Sequence, residues 1–373
     1  MKGYAKPLNE FICGQQIQFV IPVYQRNYDW LQDNCDQLLS DLVKLIHSGR
    51  TSHFFGSIVT SVAGTGFSRL VIDGQQRLTT ISLLLLAGIK AVNDGLLEIS
   101  NESRKDEAYD LFLNAKYCNS ERKIKLVPIE NDRIAYDKIF NGEDELDEDS
   151  KITRNFRHFY DKLTRKPQQL TFDNLLDAVE HLQIISIELD ADDDAQLIFE
   201  SLNSTGLALT EADKIRNYLL MSLTAEEQQL CFKNYWQKIE SATENNPTKF
   251  LRDYLTIKQQ LQRPVRLSNI YFEWKKYMDG RDRKQEMVEM LDYARYYQQV
   301  TEAQMETSKL SAKMRHICNI ESDVTNVFFI QFLKYAATNN LSYDEIDKVI
   351  DVVENYLARR IICNMPGNAL TQV

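Results

Sequence analysis

Short apolar runs and amphipathic stretches share residues 1–90, and helical spacing dominates most of the chain beyond them. Phe19-Val20-Ile21, Phe54–Val62 and Ser68–Ile72 are rich in β-branched and aromatic residues and predict strands. Ala63-Gly64-Thr65-Gly66 separates the last two as a hairpin-type turn. Within Asp33–His47, Leu38, Leu39, Leu42, Leu45 and Ile46 fall at helical spacing, with Gly49 as the expected stop. A second helix comes after Leu70-Val71-Ile72, since Leu78, Ile81, Leu84, Leu85, Ile89 and Val92 share one face. From Glu102 onward the pattern is helical with one exception, Leu182–Leu189, whose β-branched, partly alternating residues predict a strand. That strand is expected to join the N-terminal sheet and to draw Asp190–Leu220 towards the start of the second helix. Beyond Ala225 the chain reads as a helical bundle containing Tyr235-Trp236, Met287–Val300, Val324–Thr338 and Tyr343–Ile362. No internal repeat or sustained heptad run is present.

The expected class is therefore α+β: a small mixed-sheet domain over 1–100, completed by the strand at 182–189 and a helix at 211–223. A helical connector over 101–224, with an acidic loop at 142–151, and a bundle over 225–373 complete the division. A chain of 373 residues can bury the cores that this requires.

Composition narrows the function classes. No apolar h-region follows Met1-Lys2-Gly3-Tyr4, and Ile81–Ala87 is too short to cross a bilayer, so a cytoplasmic protein without membrane contact is expected. Six cysteines and five histidines are scattered without C-x-x-C, H-x-H or H-E-x-x-H spacing. That argues for reduced core thiols and against a disulfide framework or a zinc site; haem and flavin are not expected either. The net charge of −10 does not advertise nucleic-acid binding. The balance is uneven, however. Glu143–Asp149 holds six acids in seven residues, which suits an exposed loop. Lys249–Lys284 holds ten Lys/Arg against four Asp/Glu, a net of 10 − 4 = +6. Phe250, Tyr254, Tyr271, Phe272, Trp274 and Tyr277 interleave with those charges. Basic plus aromatic suits a nucleic-acid groove, with Arg263, Arg266, Lys275 and Lys276 as contacts. Helical spacing explains the same aromatics as core, and both readings stand at this point.

Chemistry concentrates at Val71-Ile72-Asp73-Gly74-Gln75-Gln76-Arg77-Leu78-Thr79-Thr80. Asp73 sits where an N-cap belongs, and Gln76 three residues later resembles its capping-box partner. Gly74 has no Cβ to keep a ligand from the backbone. Unpaired N–H groups and the macrodipole suit such a strand–Gly–helix junction to an anion, to which Arg77 can add a bidentate donor. A capped helix with a solvated first turn is the bland alternative. A second cluster, Ile21-Pro22-Val23-Tyr24-Gln25-Arg26-Asn27-Tyr28-Asp29-Trp30, is extended around Pro22 and crowded with aromatic and polar groups. It offers Arg26 as a second guanidinium and aromatic faces for stacking. Its bland alternative is an aromatic lead-in to the helix near Asp33, with Arg26 in a salt bridge.

In order and spacing, IPVYQRNYDW, FFGSIV (Phe54–Val59) and VIDGQQRLTTISLLLLAG resemble the N-terminal domain of GmrSD-type restriction systems. These form the modification-dependent, type IV class that also includes SspE-like proteins. IFESLNSTGLALTEADKIRNYLL (Ile198–Leu220) and VENYLARRIICNMPGNAL (Val353–Leu370) extend the resemblance along the chain. It implies a ParB/sulfiredoxin-like sheet with the Asp-Gly-Gln-Gln-Arg box as its phosphate-binding loop. It also implies NTP hydrolysis coupled to recognition of modified DNA, gating a nuclease domain or subunit. The HNH-type nuclease of such systems would begin near Cys363-Asn364-Met365-Pro366. It is expected to lie outside these residues, which should not cut DNA themselves.

On this reading Asp73, Gln76 and Arg77 are the catalytic candidates. Tyr24, Gln25, Arg26, Gly74, Gln75, Thr79 and Thr80 would bind the nucleotide. Asp73 would hold a Mg²⁺ that accompanies the NTP, or a water, and Gln75 or Gln76 would orient the attacking water. In the Ile198–Leu220 block, Asn203-Ser204-Thr205-Gly206 reads as a turn and Thr210-x-x-Asp213 as a capping box opening a helix over Glu211–Leu223. Asp213, Arg216 and Asn217 share a face of that helix and, with Asn203 and Gly206, form a supporting polar network, functional or purely structural. Two other classes compete: a DNA-binding module without NTPase activity, and a purely structural or regulatory protein such as an antitoxin-like partner subunit. A homo-oligomer stays open in each.

Overall fold

The computed structural model describes all residues except 49, 64–66, 119, 122, 166–169, 191–192, 194, 203–208, 321–324 and 364–373. The expected turns at 63–66 and 203–206, and the stop at Gly49, thus lie wholly or mostly outside the described residues. The chain divides into two compact units, residues 1–206 and 207–373. The architecture is α+β, with a six-stranded mixed sheet at the N-terminus and a helical C-terminal region.

The first unit is built on strands β1 (Lys2–Pro7), β2 (Gln18–Val20), β3 (His53–Ala63), β4 (Ser68–Asp73), β5 (Leu126–Val127) and β6 (Leu182–Leu189), in the order β1-β6-β3-β4-β2-β5. β6 runs parallel to β3 and antiparallel to β1, so a segment more than a hundred residues downstream inserts next to the hairpin partner of β4. The strand expected at 182–189 does join the N-terminal sheet. Periodicity did not reveal β1 or β5. The first is exposed along most of its length and lacks a buried face; the second is a two-residue pairing within a region that otherwise reads as helical.

The helix Gln75–Asn93 is apolar nearly all round and is buried almost throughout, as such a helix must be. The helices Lys151–Thr164 and Phe172–Glu180 pack against it, and Gly88 is the contact point with the second. A Cβ on Gly88 would stand 3.0 Å from the Phe172 ring. Phe112, Phe159, Phe172, Tyr136 and the leucines of Gln75–Asn93 form one continuous core with Leu182 and Ile184 of β6. The acidic run Glu143–Asp149 is an exposed loop, with Leu146 alone turned towards the core.

The second unit is helical throughout its described residues. Its helices Glu211–Leu220, Pro247–Lys258, Ile270–Tyr277 and Arg283–Thr301 surround Trp236, Phe250, Tyr254 and Trp274. Two further helices, Asn326–Thr338 and Tyr343–Ile362, fall where the spacing of apolar residues places them.

Candidate functional site

β4 delivers Asp73 to the rim of the sheet, and the next residue turns the chain into the helix. Gly74, at φ 96° and ψ 4°, is the N-cap, and no side chain caps this end. The expected capping box from Asp73 to Gln76 is therefore corrected. A Cβ on Gly74 would stand 3.0 Å from Cγ1 and 3.2 Å from Cα of Ile58, so only glycine lets β3 lie this close beneath a left-handed turn. The glycine serves strand packing first.

Both glutamines of the box are largely buried and reach across to the Tyr24–Trp30 segment. Gln76 Oε1 accepts the Asp29 and Trp30 N–H groups at 2.8 and 3.2 Å, and its Nε2 donates to the Asn27 carbonyl at 3.2 Å. Gln75 Nε2 donates to the Arg26 carbonyl at 3.2 Å and to Gln25 Oε1 at 3.3 Å. Gln25 Nε2 in turn donates to the Ile72 carbonyl at 2.8 Å. Carboxamides carry two donors and an acceptor with two lone pairs, which lets three side chains stitch an irregular segment to a strand end and a helix start. The two sequence clusters thus converge, and amide chemistry joins them.

The result is a charged group of three. Arg77 Nη1 lies 3.9 Å from Asp73 Oδ2 and donates to the Ser57 carbonyl at 3.1 Å. Arg26, whose Nη1 also lies 3.8 Å from Asp29 Oδ2, stands within electrostatic reach of the same Asp73 carboxylate. Burial raises the Asp73 pKa above the ordinary carboxylate value, while Arg77, the Gly74 N–H and Arg26 hold it back. The Arg26, Asp73 and Arg77 side chains are 20%, 21% and 28% exposed, so none is sealed from solvent.

Gly56 is the residue that sequence reasoning missed here. It has φ 120°, and a Cβ there would fall 2.7 Å from Arg77 Nε and 2.9 Å from Cζ. A pairing irregularity between β3 and β6 falls at Phe54/Gly56. An isolated glycine inside a strand pattern was the available signal. Lys151, Asp132 and Asn155 were also missed, and Asp29, named within its cluster, had no role assigned. Asp29 pairs with Lys151 as well as Arg26, and Asp132 Oδ2 accepts the Tyr28 N–H at 2.6 Å. Burial, with the Asp29 charge adding to it, pushes the Asp132 carboxyl up to about 6, against the Tyr28 N–H and Lys151.

Three expected nucleotide contacts stand behind this group, in the interior. Tyr24, Thr79 and Thr80 are buried. Thr80 Oγ1 meets the Gln76 carbonyl and the Tyr28 hydroxyl, both at 2.7 Å, and Asn155 Nδ2 donates to that hydroxyl at 3.0 Å. Through the Tyr28 hydroxyl, Thr80 supports the segment that carries Arg26.

Asn203 and Gly206 lie outside the described residues. Thr210 and Asp213 form the expected capping box, opening a helix over Glu211–Leu220. Arg216, nearly buried, joins Asp213 Oδ1 at 2.8 Å and Glu240 Oε1 at 2.9 Å, and Trp236 Nε1 donates to the same Glu240 oxygen at 2.7 Å. Asn217 is buried beside it on the helix. These described bonds join residues of the second unit.

In the basic segment, Phe250, Tyr254, Trp274 and Tyr277 are core, as helical spacing allowed. Arg263, Arg266, Lys275, Lys276 and Phe272 are exposed, the Lys276 ammonium standing 4.1 Å from the centre of the Phe272 ring. An interleaved groove is thereby reduced to a small patch.

Among the described residues, no group of three or more His, Cys, Asp or Glu side chains is placed to hold a metal ion. Asp73 offers one hard carboxylate oxygen between two guanidiniums. That donor set suits a Mg²⁺ whose remaining ligands are phosphate and water, the usual way Mg²⁺ is held, and does not suit zinc. No helix among the described residues is long and apolar enough to cross a membrane.

No curated protein matches the chain. The family model for the N-terminal domain of the GmrSD restriction endonuclease matches residues 8–220, more than half of the 373. This span holds β2–β6, the glutamine stitching and the Arg26–Asp73–Arg77 group. The chain therefore belongs to the family of the GmrSD restriction endonuclease N-terminal domain, a component of restriction-type defence systems.

Proposed function

We propose that the Arg26–Asp73–Arg77 group binds the phosphates of a nucleoside triphosphate and hydrolyses it, as the sensor step that gates a nuclease. The observation that carries this reading is the pair of guanidiniums around one part-buried carboxylate at a strand–Gly–helix junction. Phosphoryl transfer asks mainly for positioning and charge stabilisation, which fixed guanidiniums supply. Arg77 is pre-oriented by the Ser57 carbonyl and the bare face of Gly56, so little side-chain freedom remains to be lost on binding. Arg26 approaches from the other sequence cluster and neutralises charge that develops on the phosphoryl oxygens. Asp73 would hold Mg²⁺ or take a proton from the attacking water; its raised pKa favours the second task. When bound, Mg²⁺ would supply charge neutralisation across the phosphate oxygens. Gln75 and Gln76 act as positioning residues, since their amides are engaged with the Arg26 segment.

Release of inorganic phosphate from ATP and GTP with Mg²⁺, by wild type against Arg77→Ala, tests this directly. Turnover equal in the two proteins would overturn it. The second reading, a DNA-binding module without NTPase activity, is favoured by the exposed Arg263, Arg266, Lys275 and Lys276. Salt-steep DNA binding without phosphate release would select it. On either reading the partners are modified DNA and a nuclease domain or subunit.

A further inference from the structure

β4 has Asp73 at one end and Phe67 just before the other, and a concave site opens at the Phe67 end. This open cavity, about 500 Å³, is lined by Gly14, Gln15, Gln16, Ile17, Phe67 and Tyr117. Its floor is the turn ahead of β2, closed by the Ile17 N–H on the Gly14 carbonyl at 3.0 Å. Phe67 is held at its side because the Gln18 N–H donates to the Phe67 carbonyl at 3.0 Å. Tyr117 comes from a loop whose base is the Asn114–Ile124 bridge, and its N–H donates to the Gln15 carbonyl at 2.9 Å. The backbones are thus pinned while the rings stay open to solvent, Tyr117 being 61% and Phe67 42% exposed.

Three lysines neighbour these residues without lining the cavity themselves. The wholly buried Lys125 donates from Nζ to the Gly14 carbonyl at 2.8 Å, and burial lowers this ammonium to about 8. Lys123 Nζ holds the Cys118 carbonyl at 2.7 Å, and the Lys116 ammonium stands 5.8 Å from the Tyr117 ring centre.

We propose that this cavity takes a single unpaired nucleobase, stacked on Tyr117 and Phe67 and read at its edge by the Gln15 and Gln16 carboxamides. A base needs a π-face to stack on and matched donors and acceptors at its rim, and aromatic rings beside carboxamides provide both. A volume of about 500 Å³ accommodates one base with its sugar and lies within the range of small-ligand sites. A bare anion would require cations in the lining itself, and none of the three lysines lines the cavity. On this proposal Lys116, beside the Tyr117 ring, would meet a phosphate that flanks the base. The Arg26–Asp73–Arg77 group has no part in this site, so the proposal does not depend on NTP turnover.

The test uses the full chain and a single-stranded oligonucleotide carrying one 2-aminopurine, whose fluorescence changes on stacking. Wild type should change the signal on binding. Tyr117→Ala, at an exposed position, should bind about tenfold or more weakly, while Tyr117→Phe keeps the stacking face and the affinity. Gln15→Ala with Gln16→Ala should reduce discrimination among bases at that position. Free 2-aminopurine riboside separates the two sources of the same chemistry: a response to it alone assigns the site to a mononucleoside, a response to the oligonucleotide alone to a strand. Phosphate release without DNA should be equal in wild type and Tyr117→Ala. No fluorescence change with either probe, or a Tyr117→Ala protein that binds as wild type does, would overturn the proposal.

Discussion

Arg77 lies flat across the α-carbon of Gly56, close enough that a Cβ there would stand 2.7 Å from its Nε. Gly56→Ala must therefore push the guanidinium away from Ser57 and Asp73, and it must also bear φ 120°, where L-residues are strained. We expect a stability loss of about 1–3 kcal/mol and a larger relative loss of NTP turnover. Denaturant unfolding beside phosphate-release assays checks both, and a turnover unaffected in folded protein would argue against a role for the Arg77 placement.

Arg77→Ala should abolish turnover and leave the fold intact, because a partly exposed ion pair contributes at most about 1 kcal/mol. Arg77→Lys should fail to restore activity, since a point charge cannot reproduce the planar two-pronged donor. Circular dichroism and phosphate release on the same samples decide this, and an active lysine variant would show that charge alone suffices.

Gln76→Ala leaves the Asp29 and Trp30 N–H groups without their acceptor. Unsatisfied part-buried donors of this kind cost about 1–3 kcal/mol. The expected readout is faster amide hydrogen exchange at Asp29 and Trp30 together with weaker nucleotide binding through Arg26. Exchange rates identical to wild type would mean that the segment is held by other bonds.

Asp132 sets a pH dependence. Its folded-state value of about 6 lies above the ordinary carboxylate value near 4, so the folded state binds the proton more tightly. The stability contribution is thus fully present below about pH 4 and is lost as pH rises through about 6. Asp132→Asn keeps an oxygen for the Tyr28 N–H and removes the buried charge. It should melt higher than wild type at pH 8 and alike at pH 4. Parallel Tm-against-pH curves for the two proteins would refute this assignment.

Lys275→Ala combined with Lys276→Ala should weaken DNA binding for all sequences and flatten its salt dependence by about one unit per lost phosphate contact. Both side chains are exposed, so the fold should survive. Phosphate release without DNA should be unchanged. Unaltered binding at every salt concentration would identify the patch as a solvated helical face.

Local pattern determined much of this protein. The helices Gln32–Ser48, Gln75–Asn93 and Tyr343–Ile362 and the strand Leu182–Leu189 arise from spacing that exposes or buries whole faces, and the Thr210/Asp213 box from side-chain chemistry within one turn. The two arginine clusters could be singled out because their residue types are unusual for ordinary turns. Tertiary structure alone decided what joins them. β1 has no buried face to leave a period, and β5 exists only because β2 pairs with it. The N-cap moved from Asp73 to Gly74 because β3 passes 3.0 Å from where a side chain would start. Gln75 and Gln76 became clamps because backbone N–H and C=O groups of a segment nearly fifty residues away need partners once buried. Such demands arise between elements that are distant in the chain, and no window of local sequence contains both sides of them.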